Sequence, residues 1–288
     1  MFAVSILCLL WASAPEQSPP AARPAIVVAA PGVIQQLQLR DGTRAFGRVE
    51  RIDGTRVTFR TTAGAVIEVD AADIVRVTTT TGSVVDGEFR PADPNPTRLF
   101  FGPTARSLRQ GDGYVGVYEI LLPFVQVGLT DRISVGAGTP LIFGGGSGHP
   151  FWVTPKVQVF NSSSTQAAIG VLHFMNVGDG NLGIAYAVVT HGSADAAVTA
   201  GVGYAYDRTY DNHGGGAVVM IGGEYGVSRG VKLVTENYVW GRDGGILMGG
   251  VRWLGENLSA DFGLAAPIGA GRVFVFPMVN VLWRFSVK

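Results

Sequence analysis

The sequence predicts an all-β chain: an antiparallel up-and-down transmembrane β-barrel of about twelve strands, preceded by a small β module. Three observations lead there. First, Gly214 to Trp240 reads as two strands meeting at the polar turn Val227-Ser228-Arg229-Gly230. In its first half Val219, Ile221, Tyr225 and Val227 alternate with Gly222, Glu224 and Gly226, the two-residue period of a strand. Second, turn signals of this kind recur at short, regular intervals through the C-terminal two-thirds of the chain. Third, charge is scarce. Hydrophobic residues make up 47% and charged residues 15%, against about 25% charged in typical soluble domains. A soluble sheet would carry Lys, Glu and Arg on its water face; here the less bulky positions are mostly Gly, Ala, Ser and Thr.

Taken in order, Phe2 to Ala12 is an apolar run of the length of a signal core, followed by the small-residue spacing Ala12-Ser13-Ala14. Residues 1–14 are therefore expected to be an export signal whose start is truncated, since no Lys or Arg precedes the core. Residues 15–32 are Pro/Ala-rich and read as a linker. The single cysteine, Cys8, lies in the signal, which leaves the exported chain without thiol chemistry.

Residues 33–90 form the first module. Asp41-Gly42, Asp53-Gly54 and Ala63-Gly64 punctuate short strands, and Val57 and Phe59 alternate with Arg56, Thr58 and Arg60. About five strands of this size resemble a small SH3-like or Sm-like barrel. The arginines at 40, 44, 48, 51, 56 and 60 are balanced by Asp41, Glu50, Asp53, Glu68, Asp70 and Asp73. With a net charge of zero over the chain, nucleic acid is excluded as a partner. A periplasmic module that docks a protein partner is expected instead.

Residues 91–96 are a linker, where Pro94 and Pro96 prevent a strand ladder from continuing. The run from Asp93 to Leu108, DPNPTRLFFGPTARSL, resembles a segment that precedes the barrel in a group of uncharacterised bacterial outer-membrane β-barrel proteins. The resemblance implies a barrel and the bacterial outer membrane; it implies no reaction.

Residues 97–288 are expected to be that barrel. One set of turns is 129–132, 161–165, 191–195, 227–230 and 254–257; the other is 109–113, 143–150, 176–181, 207–215, 241–245 and 268–271. The sets alternate, so eleven turns separate twelve strands of the ~9–11 residues that cross a bilayer at a tilt. With the module in the periplasm, the first set faces the periplasm. In this reading the bulky faces meet lipid, including Leu182, Ile184, Tyr186 and Val188. Tyr204, Tyr206, Tyr238, Trp240, Trp253 and Trp283 form the aromatic girdles. The closing aromatic, Phe285, lies three residues from the end, where such barrels commonly end on one.

Ionisable residues within strands are the candidates for function. Glu119, Lys156, Glu224, Asp261 and Arg284 are expected to face the lumen, because an Arg or Lys facing lipid at mid-depth costs ~2–4 kcal/mol. The facing of Glu236 and Arg252 stays open. The group either lines a narrow solute path or forms paired residues that close the lumen, and the small-residue face favours closure without a long inserted loop. A membrane-embedded lipid hydrolase is the second class. Its Ser-His pair would have to come from His149, His173, His191, His213 and Ser147, and Gly144 to Gly148 offers no fixed geometry for one. The third class is a soluble β-protein with a hydrophobic ligand cavity. No cofactor or metal is expected: Asp179, Asp207 and Asp211 read as turn residues, and GGGSG lacks the Lys-Ser/Thr of a phosphate loop. The expected function is that of a non-enzymatic outer-membrane barrel with a structural or scaffolding role or a narrow small-solute passage, and with outer-membrane lipid as its surroundings.

Overall fold

The computed structural model describes residues 26–141, 148–177, 180–209, 212–241, 244–269 and 274–287. The expected export signal, Cys8, Gly144 to Ser147, Asp179, Asp211 and the side chain of His213 lie outside the described residues.

The first unit is a five-stranded antiparallel sheet of β1 (Ile34–Leu39), β2 (Arg44–Asp53), β3 (Arg56–Thr61), β4 (Val66–Asp70) and β5 (Ile74–Thr80), in the order β4-β3-β2-β1-β5. Alternation decides its two faces. Val57 and Phe59 turn into a core with Leu37, Val49 and Ile74, while the intervening Arg56 and Arg60 stay exposed. A hairpin of β6 (Gly82–Val85) and β7 (Glu88–Pro91) follows, and its Phe89 stacks on Phe46 with ring centroids 4.5 Å apart.

The second unit is a closed antiparallel barrel. Its strands are β8 (Asp112–Tyr118), β9 (Leu122–Gly128), β10 (Ile133–Gly138), β11 (Phe151–Val153), β12 (Lys156–Asn161), β13 (Thr165–Val177), β14 (Gly180–Gly192), β15 (Ala196–Thr209), β16 (Asn212–Ser228), β17 (Val231–Trp240), β18 (Gly244–Leu254), β19 (Leu258–Ile268) and β20 (Phe276–Ser286). β11 and β12 both pair with β10 and β13, so they are two halves of one stave. Pro155 interrupts them because it has no N–H to give the ladder, and Thr154 keeps the wall closed by exchanging backbone bonds with Gly136. β20 pairs with β8, and the barrel closes with twelve staves.

The number twelve arises from a different parse than the turns suggest. Residues 97–108 are not the first strand; they run inside the barrel, and the first stave begins at Asp112. The missing strand is replaced by a turn at 119–121 that splits β8 from β9. Glu119 and Ile120 both have positive φ there, 50° and 64°. Positive φ is usually left to Gly, Asn or Asp, and the three residues that join Tyr118 to Leu122 include none of these, so this turn carries no sequence signal. Glu119 is thus a turn residue rather than a lumen-facing strand residue. The RQGDG turn is also displaced. Gln110 donates its backbone N–H to Asp131, and Gly111 to Gly128, which puts 109–113 at the same end as 129–132.

The first unit sits at that end. Arg76 pairs with Glu256 at 3.5 Å, Glu88 with Arg229 at 3.3 Å, and Arg90 with Asp195 at 2.8 Å. The opposite end is called the far end below.

The cross-strand register fixes which way each side chain points. Val202, Tyr204, Val219, Ile221 and Leu264 point outward and are exposed. Trp253 and Trp283 are outward as well, near the module end. Two expectations are reversed. In β14 the bulky Leu182, Ile184, Tyr186 and Val188 point inward, and Ala185 and Ala187 point outward. The reason is size complementarity with β15. Tyr186 lies opposite Gly203 and Val188 opposite Gly201 on the inner face, while Ala185 and Ala187 lie opposite Tyr204 and Val202 on the outer face. Tyr238 is the second reversal: its hydroxyl donates to Glu236 at 2.8 Å inside the lumen, so it belongs to no girdle.

Candidate functional site

Eight staves enclose a space that side chains alone can fill, and sixteen or more leave an aqueous channel. Twelve lie between, and the extra space here is filled by chain. Asp93 to Leu108 enters from the module end and doubles back within the lumen. Arg98 bridges to Pro103, Leu99 donates its N–H to the Gly102 carbonyl at 2.8 Å, and Thr104 donates to Thr97 at 3.0 Å. The result is a tight hairpin with its tip at Phe100 and Phe101. Leu99 and Phe100 pack on Val234, Met248, Ala265 and Met278 from the barrel wall. Ala105 packs on Ala168, Val188 and Met220.

Backbone groups in such a plug have no sheet partners, so the wall supplies them. Glu236 on β17 caps the tip: its carboxylate accepts from the N–H groups of Phe100, Phe101 and Gly102 at 2.7, 3.0 and 2.9 Å. The Lys156 ammonium donates to the carbonyls of Thr97, Thr104 and Arg106. Gln158 donates to Ala105, and Asn95 donates to the Ser259 hydroxyl.

Charge is arranged in two clusters. Arg252 on β18, fully buried, donates Nε to Asp261 at 2.6 Å and Nη1 to Asp93 at 2.9 Å, and also meets the Leu99 carbonyl. Asp261 also receives Arg98 at 2.8 Å. In the second cluster Glu224 holds Arg106 of the plug and Lys232, the latter at 3.1 Å. Each cluster joins a residue of segment 93–108 to an opposite charge on the wall.

The structure therefore brings three of the sequence candidates, Lys156, Glu224 and Asp261, to the plug. Arg284 lies apart at the module-end rim, paired with Asp112 at 2.7 Å. Glu119 lies at the far-end turn between β8 and β9. Glu236 and Arg252, whose facing the sequence left open, are central, and Asp93, Arg98, Arg106 and Lys232 complete the site. A signal for Asp93, Arg98 and Arg106 was present: a Pro- and Arg-rich segment between two β units, with no strand period of its own; Lys232 lies on β17 outside that segment.

Three of the four histidines have described side chains, and each is hydrogen bonded to a hydroxyl. His173 is hydrogen bonded to the Tyr206 hydroxyl at 2.8 Å on the outer face, His191 to Thr165, and His149 to Thr139. Among the described residues no group of His, Cys, Asp and Glu has the geometry to hold a metal ion.

Glu236→Gln tests the cap. An amide keeps one acceptor oxygen and turns an NH2 toward N–H groups it cannot satisfy. Stability is expected to fall by about 1–3 kcal/mol, the cost of stranding buried donors, read as a lower urea midpoint. Tyr238→Phe, which removes only one bond to the same carboxylate, should cost about 1 kcal/mol or less.

No protein-family model matches the chain, and no curated protein matches it. Among solved structures it is similar to a NanC porin (10% identity, TM-score 0.40, covering 62% of this chain and 98% of that one). It is also similar to the KdgM porin in complex with disordered oligogalacturonate (10%, 0.42, 62% and 98%). A third is the outer-membrane OmpT of Vibrio cholerae (12%, 0.36, 88% and 95%).

Proposed function

We propose that this chain is a non-enzymatic barrel of the bacterial outer membrane, closed by its own segment 93–108, that anchors the 34–91 unit at the periplasmic face. The observation that carries the reading is the occupied lumen: apart from Phe101 at its tip the hairpin is buried or half-buried, and the ion pairs and hydrogen bonds of segment 93–108 run to β12, β16, β17, β18 and β19. The outward apolar rows supply the lipid contact, because hydrocarbon tolerates a surface that is exposed and uncharged. With the module-end turns short and the five-stranded unit beside them, Arg76, Glu88 and Arg90 tie that unit to the barrel. Its remaining surface is where a periplasmic protein partner would dock.

Bilayer recording tests the closure. The intact protein is expected to be electrically silent, and a variant lacking residues 97–104 to show steady conductance. Steady, ion-selective current through the intact barrel at rest would replace the scaffold with a solute passage.

A further inference from the structure

The plug does not fill the whole lumen. Between the hairpin and the inward side chains of the wall lies a cavity of about 520 Å3. Leu122, Phe124, Trp152, Leu172, Phe174 and Ile184 form much of its wall, and Pro140, Pro150 and Val177 mark its far-end limit. The lumen of an aqueous porin is polar. The wall of this cavity is mainly apolar, and the reversal of β14 is part of the cause, since it delivers Ile184, Tyr186 and Val188 to the inside.

Its charged groups, Arg98 and Lys156, lie with Thr97 at the floor, and its other polar lining groups, Gln126, Thr154 and four tyrosines, are neutral. Arg98 is 2% exposed. Its Nη1 is taken by Asp261 and by the Leu99 and Phe100 carbonyls, but among the described residues nothing accepts from Nε or Nη2. Buried donors of a guanidinium are rarely left without acceptors. Its charge is under-compensated as well. The described core of the lumen holds Arg98, Arg106, Lys156, Lys232 and Arg252 against Asp93, Glu224, Glu236 and Asp261. Lys156 is the cation whose three acceptors are all carbonyls. The Tyr118 ring, with its centre 5.6 Å from the guanidinium carbon, and the surrounding chain close both donors off; with that ring turned aside, water would satisfy them without balancing the charge, and an anion would do both.

We propose that this cavity binds a small amphiphile, with an alkyl or aryl body against the apolar wall and a carboxylate at the Arg98 end. An apolar pocket of some hundreds of Å3 with few convergent polar groups is the usual form of a small-molecule site. The inference goes beyond the closed barrel and rests on that reading only in that segment 93–108 supplies the floor.

The test is calorimetric titration of the full chain, held in an amphipathic polymer free of detergent, with decanoate and with decanol. One saturable site is expected, with decanoate bound about tenfold more tightly than the alcohol, as one charged hydrogen-bonded pair implies. Leu172→Trp and Ile184→Trp each fill the cavity from neighbouring strands and should abolish binding, while the heat-sensitive compact gel mobility of a folded barrel is kept. Having two variants keeps the test valid if one fails to fold. Absence of a saturable site on the folded protein, equal affinity for acid and alcohol, or binding unchanged in the folded filled variants would overturn the proposal. Conductance of the same preparation separates the two readings. A conducting barrel that binds decanoate sinks the closed-barrel reading alone, and a silent one that does not bind sinks this inference alone.

Discussion

Arg252→Ala is expected to cost about 3–5 kcal/mol and to release segment 93–108 from the lumen. The guanidinium is fully buried and serves Asp93 on the plug and Asp261 on the wall at once. Removing it takes a close cation from two carboxylates that are almost fully buried, and breaking a buried pair from one side carries that cost. Asp261 keeps Arg98, and Asp93 keeps Lys232 at 3.7 Å, so the loss falls mainly on the bond between plug and wall. Two measurements read it: the urea midpoint falls, and trypsin gains access to Arg98 and Arg106. The companion Arg98→Met/Arg252→Met/Asp93→Leu/Asp261→Leu removes two charges of each sign together and should recover much of the stability, because replacing a buried ionic cluster by apolar groups of similar volume is often neutral. If Arg252→Ala left both midpoint and protease pattern unchanged, the cluster would not hold the plug.

The strands were legible where one rule acted alone. In β16 Val219, Ile221, Tyr225 and Val227 point outward while Gly222, Glu224 and Gly226 point inward, so side-chain size gives the face directly there. The core of the first unit was legible for the same reason, with Val57 and Phe59 set against Arg56 and Arg60. The rule failed in β14, where the wall is apolar on both sides. Both faces of β14 carry apolar residues, and Leu182 to Val188 then records only which neighbour is large: Gly203 admits Tyr186 inward, and Tyr204 leaves room outward for Ala185. The turn at Glu119 and Ile120 was hidden because it uses neither Gly nor Asn for its positive φ. The plug was hidden for a third reason. A segment whose backbone is satisfied by Glu236, Lys156 and Gln158 has no period to detect; its partners are 50 or more residues away along the chain. Lys156, Glu224 and Asp261 stood out as rare charges in apolar strands, but the same scarcity could not say that a chain segment, rather than solvent, would meet them.

Val202→Arg should separate a lipid-facing wall from a hydrated one. Val202 lies midway along β15, points outward and is 61% exposed. In water such a change is worth within about ±0.5 kcal/mol, the usual range for exposed positions without special contacts. At the middle of a bilayer an arginine costs ~2–4 kcal/mol, falling to ~0–1 near the interfaces. Val198 offers the internal control: it faces the same way, is equally open, and lies four residues nearer the module end. Folding into phospholipid vesicles, titrated with urea, should therefore show a large loss for Val202→Arg and a small one for Val198→Arg. The difference between the two is the decisive quantity, because loss of a valine side chain and of strand propensity is common to both and cancels. Equal and small effects would place the outer face of the barrel in water and move the bulky outward rows from lipid contact to an unexplained surface. A gradient with depth can come only from a medium whose polarity changes along the barrel axis.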